Sequence, residues 1–215
     1  EIARMMGELP DDTILVLDEA YVDTAPQGTA PPFDLTQPNV IRYRTFSKAY
    51  GLAGARIGYA IAAREVMESL DKVRNHYGIN RVGQIGAYEA IRDQAYLTQA
   101  LAKIERARKR LSDIAERNGL RAIPSATSFV TMNCGRDGAF AKAVLEELLA
   151  RDVFARKPSA TGIDRCIRVS TGIDGDLDIF LTKIRKNLDE GPNARPTRPS
   201  YFFLAAFSRR FAARP

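Results

Sequence analysis

Three short apolar runs punctuate the first part of the chain: Ile14-Leu15-Val16-Leu17, Val40 to Phe46, and Ile57 to Ala62. Their length and their content of branched and aromatic residues are those of strands rather than helices. The first run has no polar interruption, so the pattern predicts a strand buried on both faces, ending at Asp18-Glu19-Ala20-Tyr21. Only Ser47 to Arg56 separate the second run from the third. That is too short for the crossover helix between parallel neighbours, so these two strands are expected to pair antiparallel.

The period then changes. Val66, Met67, Leu70 and Val73 recur at helical spacing and predict an amphipathic helix from about Arg64 to Arg74. Leu97, Leu101, Ile104, Leu111 and Ile114 trace one face of a longer helix, stopped by Asn118-Gly119. The opposite face, Lys103 to Arg110, reads as solvated surface. Beyond it the pattern predicts strands over 128–133, 153–156 and 166–170 and helices over 139–150 and 177–188, a small α+β layer structure. Asp174 and Asp176 fit the N-terminal turn of the last helix, where acids offset the macrodipole. Residues 24–39, with Pro26, Gly28, Pro31, Pro32 and Pro38, read as a loop expected to border the functional site.

Composition changes this picture in two places. The net charge of +6 would suggest a nucleic-acid partner, but residues 191–215 hold five arginines and no acid, and removing those five leaves +1. The basic character belongs to a tail, and no nucleic-acid partner is inferred from it. Composition leaves the tail open between a disordered extension, a membrane-surface contact and an out-of-frame appendage. Cys134 and Cys166 are the only cysteines and are expected to be free core thiols of a reducing compartment. With no membrane-length apolar run and no signal-like start, the expectation is a cytoplasmic protein without a membrane partner. His76 is the single histidine, which excludes a histidine-based metal cluster.

The candidate chemistry lies in Thr45-Phe46-Ser47-Lys48-Ala49-Tyr50-Gly51-Leu52-Ala53-Gly54-Ala55-Arg56. This turn offers two hydroxyls, a lysine able to form a Schiff base, and an arginine whose planar fork suits a phosphate. A surface hairpin with solvated charges is the alternative. Asp18 adds a carboxylate at the end of a predicted buried strand, where a protonated pyridine nitrogen would satisfy it and where open α/β sheets bind ligands. A helix cap is the other reading of Asp18. In the second half, Ile167-Arg168-Val169-Ser170-Thr171-Gly172 sets one arginine inside an apolar strand, where it requires an anionic partner, either a substrate carboxylate or a structural aspartate. The role of Arg156, expected nearby, stays open.

Asp-x-Ala-Tyr at 18–21, Thr-x-Ser-Lys at 45–48 and Arg56 together resemble the fold-type I pyridoxal-phosphate aminotransferases, most closely the histidinol-phosphate aminotransferase group, over about residues 8–190. The resemblance implies an α/β fold: part of the mixed, mostly parallel large-domain sheet over 1–92, then a small α+β domain over 93–190, with 191–215 an unassigned tail expected to be disordered. It implies pyridoxal 5'-phosphate as cofactor, with Lys48 as its Schiff-base lysine, Asp18 on the pyridine nitrogen and Tyr21 on the phenolic oxygen. Thr45, Ser47 and Arg56 would be phosphate ligands and Arg168 the substrate-carboxylate clamp. Tyr77 to Asn80 with Gly83 is a looser match to a substrate-pocket segment. The implied activity is transamination between an amino donor, histidinol phosphate or an aromatic amino acid, and a 2-oxo acid, by a homodimer. A decarboxylase on the same scaffold and a non-catalytic remnant are the alternatives. The family's first-half elements find no counterpart, so the chain reads as the C-terminal part of a longer enzyme, expected to bind cofactor weakly by itself.

Overall fold

The computed structural model describes residues 1–190 apart from positions 11 and 35. The basic tail, and with it the expectation of disorder there, lies outside the described residues. The chain falls into two units: residues 1–111 with 124–130 and 170–172, and residues 112–123 with 131–169 and from 173 onward.

After a short helix α1 (Ile2–Gly7), the first unit is built on strands β1 (Leu15–Asp18), β2 (Val40–Thr45) and β3 (Gly58–Ile61), in the order β1-β2-β3. β1 runs parallel to β2 with Asp18 opposite Tyr43. β3 returns antiparallel with Gly58 opposite Thr45, as the short connection requires. The sheet is therefore mixed. The expectation that Ile14 to Leu17 are buried on both faces is corrected: Ile14 is 61% and Val16 54% exposed, whereas Leu15 and Leu17 are half-buried. β1 is an edge strand here, and its side chains alternate between a covered face and an open one.

Helix α2 (Arg64–Val73) forms where the period predicts it, although Val73 stays 80% exposed. Helix α3 (Arg81–Arg92) was not anticipated. Its apolar positions Val82, Ile85, Tyr88 and Ile91 are all exposed, and Gly83 and Gly86 lower its intrinsic propensity. What anchors it is the small-residue side, with Ala87 buried against Phe46 and Tyr50 and Ala90 packed on the same cluster. Helix α4 (Gln94–Arg117) is the predicted long helix and ends before Gly119, which adopts φ +71°. Its charged face is not wholly solvated: Arg108 is half-buried and donates to the carbonyls of Thr24 (3.2 Å) and Thr127 (3.3 Å). Among the described residues no helix is long and apolar enough to cross a membrane.

The second unit carries β4 (Arg121–Ile123), β5 (Phe129–Asn133) and β6 (Cys166–Ser170), ordered β4-β5-β6, with helices α5 (Gly138–Ala150) and α6 (Asp174–Glu190). The three-residue β4 escapes pattern reading because it is too short to show a period; it pairs antiparallel with β5. The strand expected over 153–156 reduces to one bridge between Arg156 and Arg168, since Val153 and Phe154 lack ladder partners. Met132, Val144, Leu148, Ile167 and Ile184 are almost completely buried and form the interior. Cys134 and Cys166 are free and buried, and burial pushes the Cys134 thiol up to about 11, so both are inert core groups.

In the first unit the covered face of the sheet holds charge as well as hydrocarbon. Glu19, directly after β1, is 8% exposed and bridges Arg42 (2.5 Å), itself 4% exposed, and Arg44 (2.9 Å). Phe33 lies over both guanidinium groups, with its ring centre 4.2 Å from that of Arg42 and 4.7 Å from that of Arg44, and Arg42 also donates to the Pro32 carbonyl at 3.1 Å. Burial holds the neighbouring Asp23 carboxyl above its usual range. Removing Glu19 would strand a buried guanidinium, so Glu19→Ala is expected to cost about 3–5 kcal/mol of stability, read as a lowered urea midpoint.

Candidate active site at the end of the first sheet

Strand alternation builds the site. With Asp18 opposite Tyr43, and Tyr43 and Thr45 two residues apart, all three fall on the open face of the sheet, opposite the Glu19 cluster. The chain then reverses through Ser47 to Ala55 and re-enters at Gly58. Asp18, Thr45, Ser47, Lys48 and Arg56 line one recess of about 420 Å3, together with Val16, Ala20, Tyr43 and Arg44. Asp18 and Lys48 are exposed. The Asp18 side chain accepts the Ala20 N–H at 3.0 Å, which fixes its rotamer.

The turn is rigidly specified. Thr45 Oγ1 accepts the Ser47 N–H at 3.0 Å, and Gly51 takes φ +71° as the backbone bends. Phe46 and Tyr50 turn inward, with ring centres 5.0 Å apart, and leave Ser47 and Lys48 facing the recess. Arg56 itself adopts φ 54°, a left-handed conformation uncommon for a residue with a side chain, and donates from Nη1 to the Ala53 carbonyl at 3.1 Å. Lys48 Nζ lies 5.0 Å from the centre of the Tyr21 ring, which meets Phe129 edge-on at 5.7 Å. Six residues singled out in the sequence, Asp18, Tyr21, Thr45, Ser47, Lys48 and Arg56, thus come together. Arg168 lies on β6 in the second unit, half-buried, exchanging backbone hydrogen bonds with Arg156.

Sequence reasoning missed the supports. Arg42 and Arg44 occupy alternate positions of an apolar strand, and two inward arginines demand a buried acid, a signal that was readable before the fold. Asn80, named in the sequence only within a looser match to a substrate-pocket segment, is a second support. Its Oδ1 caps α3 by accepting the Gly83 N–H at 2.6 Å, and its Nδ2 donates to the Ala55 carbonyl at 3.1 Å, next to Arg56. A Cβ at Gly83 would stand 3.1 Å from that same carbonyl, so glycine permits the close approach. Tyr77 of the same segment is 95% exposed.

The donor set is matched to a particular kind of ligand. An amine accessible beside an arginine, two hydroxyls and an aspartate can bond a carbonyl carbon covalently while holding a phosphate at one end and a protonated nitrogen at the other. The family model for aminotransferase class I and II matches residues 4–184. The chain belongs to this family. Its relatives include the histidinol-phosphate aminotransferase of Bacillus licheniformis, 33% identical over 183 residues, covering 84% of this chain and 50% of the relative. The crystal structure of the Sinorhizobium meliloti histidinol-phosphate aminotransferase, in complex with pyridoxal-5'-phosphate, superimposes with a TM-score of 0.82 at 42% identity, over 87% of this chain and 53% of that one. The L-threonine-O-3-phosphate decarboxylase of Porphyromonas gingivalis shares the fold, with a TM-score of 0.72 at 23% identity, over 87% of this chain and 58% of that one. The chain spans about half the length of the curated relatives it matches.

Asn80→Ala removes a helix cap and the clamp on Ala55 together. It is expected to lower stability by about 1 kcal/mol, measured by chemical denaturation, whereas Asn80→Asp keeps the cap but sets an acceptor against the Ala55 carbonyl and should recover only part of it.

Proposed function

We propose that this chain supplies the lysine-bearing site of a pyridoxal-phosphate-dependent aminotransferase. The observation that carries the reading is that Lys48, Asp18, Arg56, Thr45 and Ser47 share one recess at the end of β1 and β2. Lys48 Nζ would be the covalent attachment point and, once the incoming amino donor displaces it as a free amine, the base that moves the proton at Cα of the donor. Asp18 keeps the pyridine nitrogen protonated, and Tyr21 donates to the phenolic oxygen. Arg56, Thr45 and Ser47 hold the phosphate. When bound, the cofactor supplies an electron sink for charge developing at Cα. Arg168 is the clamp for the donor's carboxylate or for another anionic group.

The relatives named histidinol-phosphate aminotransferases support histidinol phosphate, ahead of an aromatic amino acid, as the amino donor, with a 2-oxo acid as acceptor; the proposed working assembly of the whole enzyme is a homodimer. On this reading residues 1–92 belong to the cofactor-binding domain and 93–190 to the small domain. The decarboxylase neighbour shares only the fold with this chain, and product analysis separates the two chemistries: a transaminase consumes 2-oxo acid, a decarboxylase releases carbon dioxide.

Loading the protein with pyridoxal phosphate, reducing with borohydride and mapping the peptides is expected to place the pyridoxyl group on Lys48. Lys48→Ala should abolish that label, and labelling spread evenly over surface lysines would overturn the assignment. Arg56→Ala should weaken cofactor retention by about tenfold or more, as loss of a charge-assisted phosphate contact requires. In the full-length enzyme, Asp18→Asn should leave cofactor retention largely intact while turnover collapses.

A further inference from the structure

A second polar recess, of about 350 Å3, lies wholly within the second unit and is lined by Gly119, Arg121, Asn133, Gly135, Arg136 and Arg165. The topology explains the convergence. Arg121 begins β4 opposite Asn133, the Cys134 N–H donates to the Arg165 carbonyl at 3.1 Å, and Arg136 follows in the turn after β5. Three neighbouring backbones therefore each deliver an arginine to the same end of one sheet.

All three arginines are exposed, and none has a carboxylate partner among the described residues. Of the nearby acids, Asp137 caps α5 through the Phe140 N–H at 2.9 Å, and the exposed Asp164 forms no ion pair with the three arginines among the described residues. Arg136 is held in place by the Phe140 ring, whose centre is 4.4 Å from the guanidinium carbon. Asn133 uses Oδ1 to accept the Gly135 N–H at 2.8 Å and keeps its Nδ2 donors unclaimed. Gly119 and Gly135, at φ +71° and +75°, have no atom within 4 Å of a built Cβ position, so the recess stays open between the arginines. Three like charges gathered this closely repel one another, and a multiply charged anion offering several acceptor oxygens turns that repulsion into attraction.

We propose that this recess binds a small phosphate-bearing polyanion, gripped by Arg121, Arg136 and Arg165 and oriented by Asn133. The site is distinct from the Lys48 recess and does not depend on the function assigned there.

The test is calorimetric titration of the full chain with pyrophosphate, ATP and inorganic phosphate, in an Arg56→Ala background that disables the other anion-binding recess. Pyrophosphate is expected to bind with a stoichiometry of one, more tightly than phosphate, and to weaken as ionic strength rises. Arg121→Ala and Arg165→Ala should each weaken it by about tenfold or more, Arg165→Lys by less, and Lys142→Ala not at all. ATP binding more tightly than pyrophosphate identifies a nucleotide as the source of the phosphates; equal binding identifies a free polyphosphate. Circular dichroism checks that the variants fold. An Arg121→Ala/Arg165→Ala double variant that binds like its parent, or binding that vanishes with Arg56→Ala alone, would overturn the proposal.

Discussion

One carboxylate governs the first unit. Glu19, directly after β1, sits beneath β2 and is shared between Arg42 and Arg44, so two arginines on one strand are bridged by a single acid. Because adjacent residues of an extended chain point to opposite sides, fixing Glu19 on the covered face directs Asp18 to the open one. Likewise Arg42 and Arg44 facing the acid send Tyr43 and Thr45 to the recess. The polarity of the site thus follows from a buried ion cluster on its far side. Phe33 over both guanidinium groups and the Pro32 carbonyl on Arg42 tie the proline-rich loop to the same cluster.

The turn that carries Lys48 is held from within and from the side. Phe46 and Tyr50 pack with Ala87 as its apolar anchor, joined by Leu52, Ile57 and Tyr59. Asn80 fixes the Ala55 carbonyl and so the start of the left-handed residue Arg56. A lysine and an arginine on a short turn would ordinarily sample many arrangements. Here rigid neighbours restrict them, which lowers the ordering cost of gripping a ligand.

The second unit uses charge differently. Its interior is apolar apart from Glu147, which is buried and paired with Arg151 at 2.6 Å, and its thiols are inert, while three arginines with no ion pair among the described residues gather at one end of its sheet. Where the first unit compensates its inward arginines internally, the second leaves its outward ones to solvent or to an anion.

Much of this was legible in the chain alone, where local chemistry decides the outcome. The short span from Ser47 to Arg56 forced antiparallel pairing, the period of Leu97 to Ile114 forced a long helix, and the motif residues singled out a lysine, a carboxylate and an arginine that share one recess. Local pattern misjudged what depends on neighbours. The run Ile14 to Leu17 promised burial on both faces, yet Ile14 and Val16 are open because exposure is a property of what packs against a strand, not of its own composition. Helix α3 escaped because its apolar stripe faces outward and small residues make its contacts. Arg108 read as solvated but reaches carbonyls far away in sequence. Only the tertiary structure could choose Glu19 as the partner of Arg42 and Arg44, place Asn80 against Ala55, and bring Arg121, Arg136 and Arg165 to one recess, because each of those contacts joins residues that no periodicity or spacing relates.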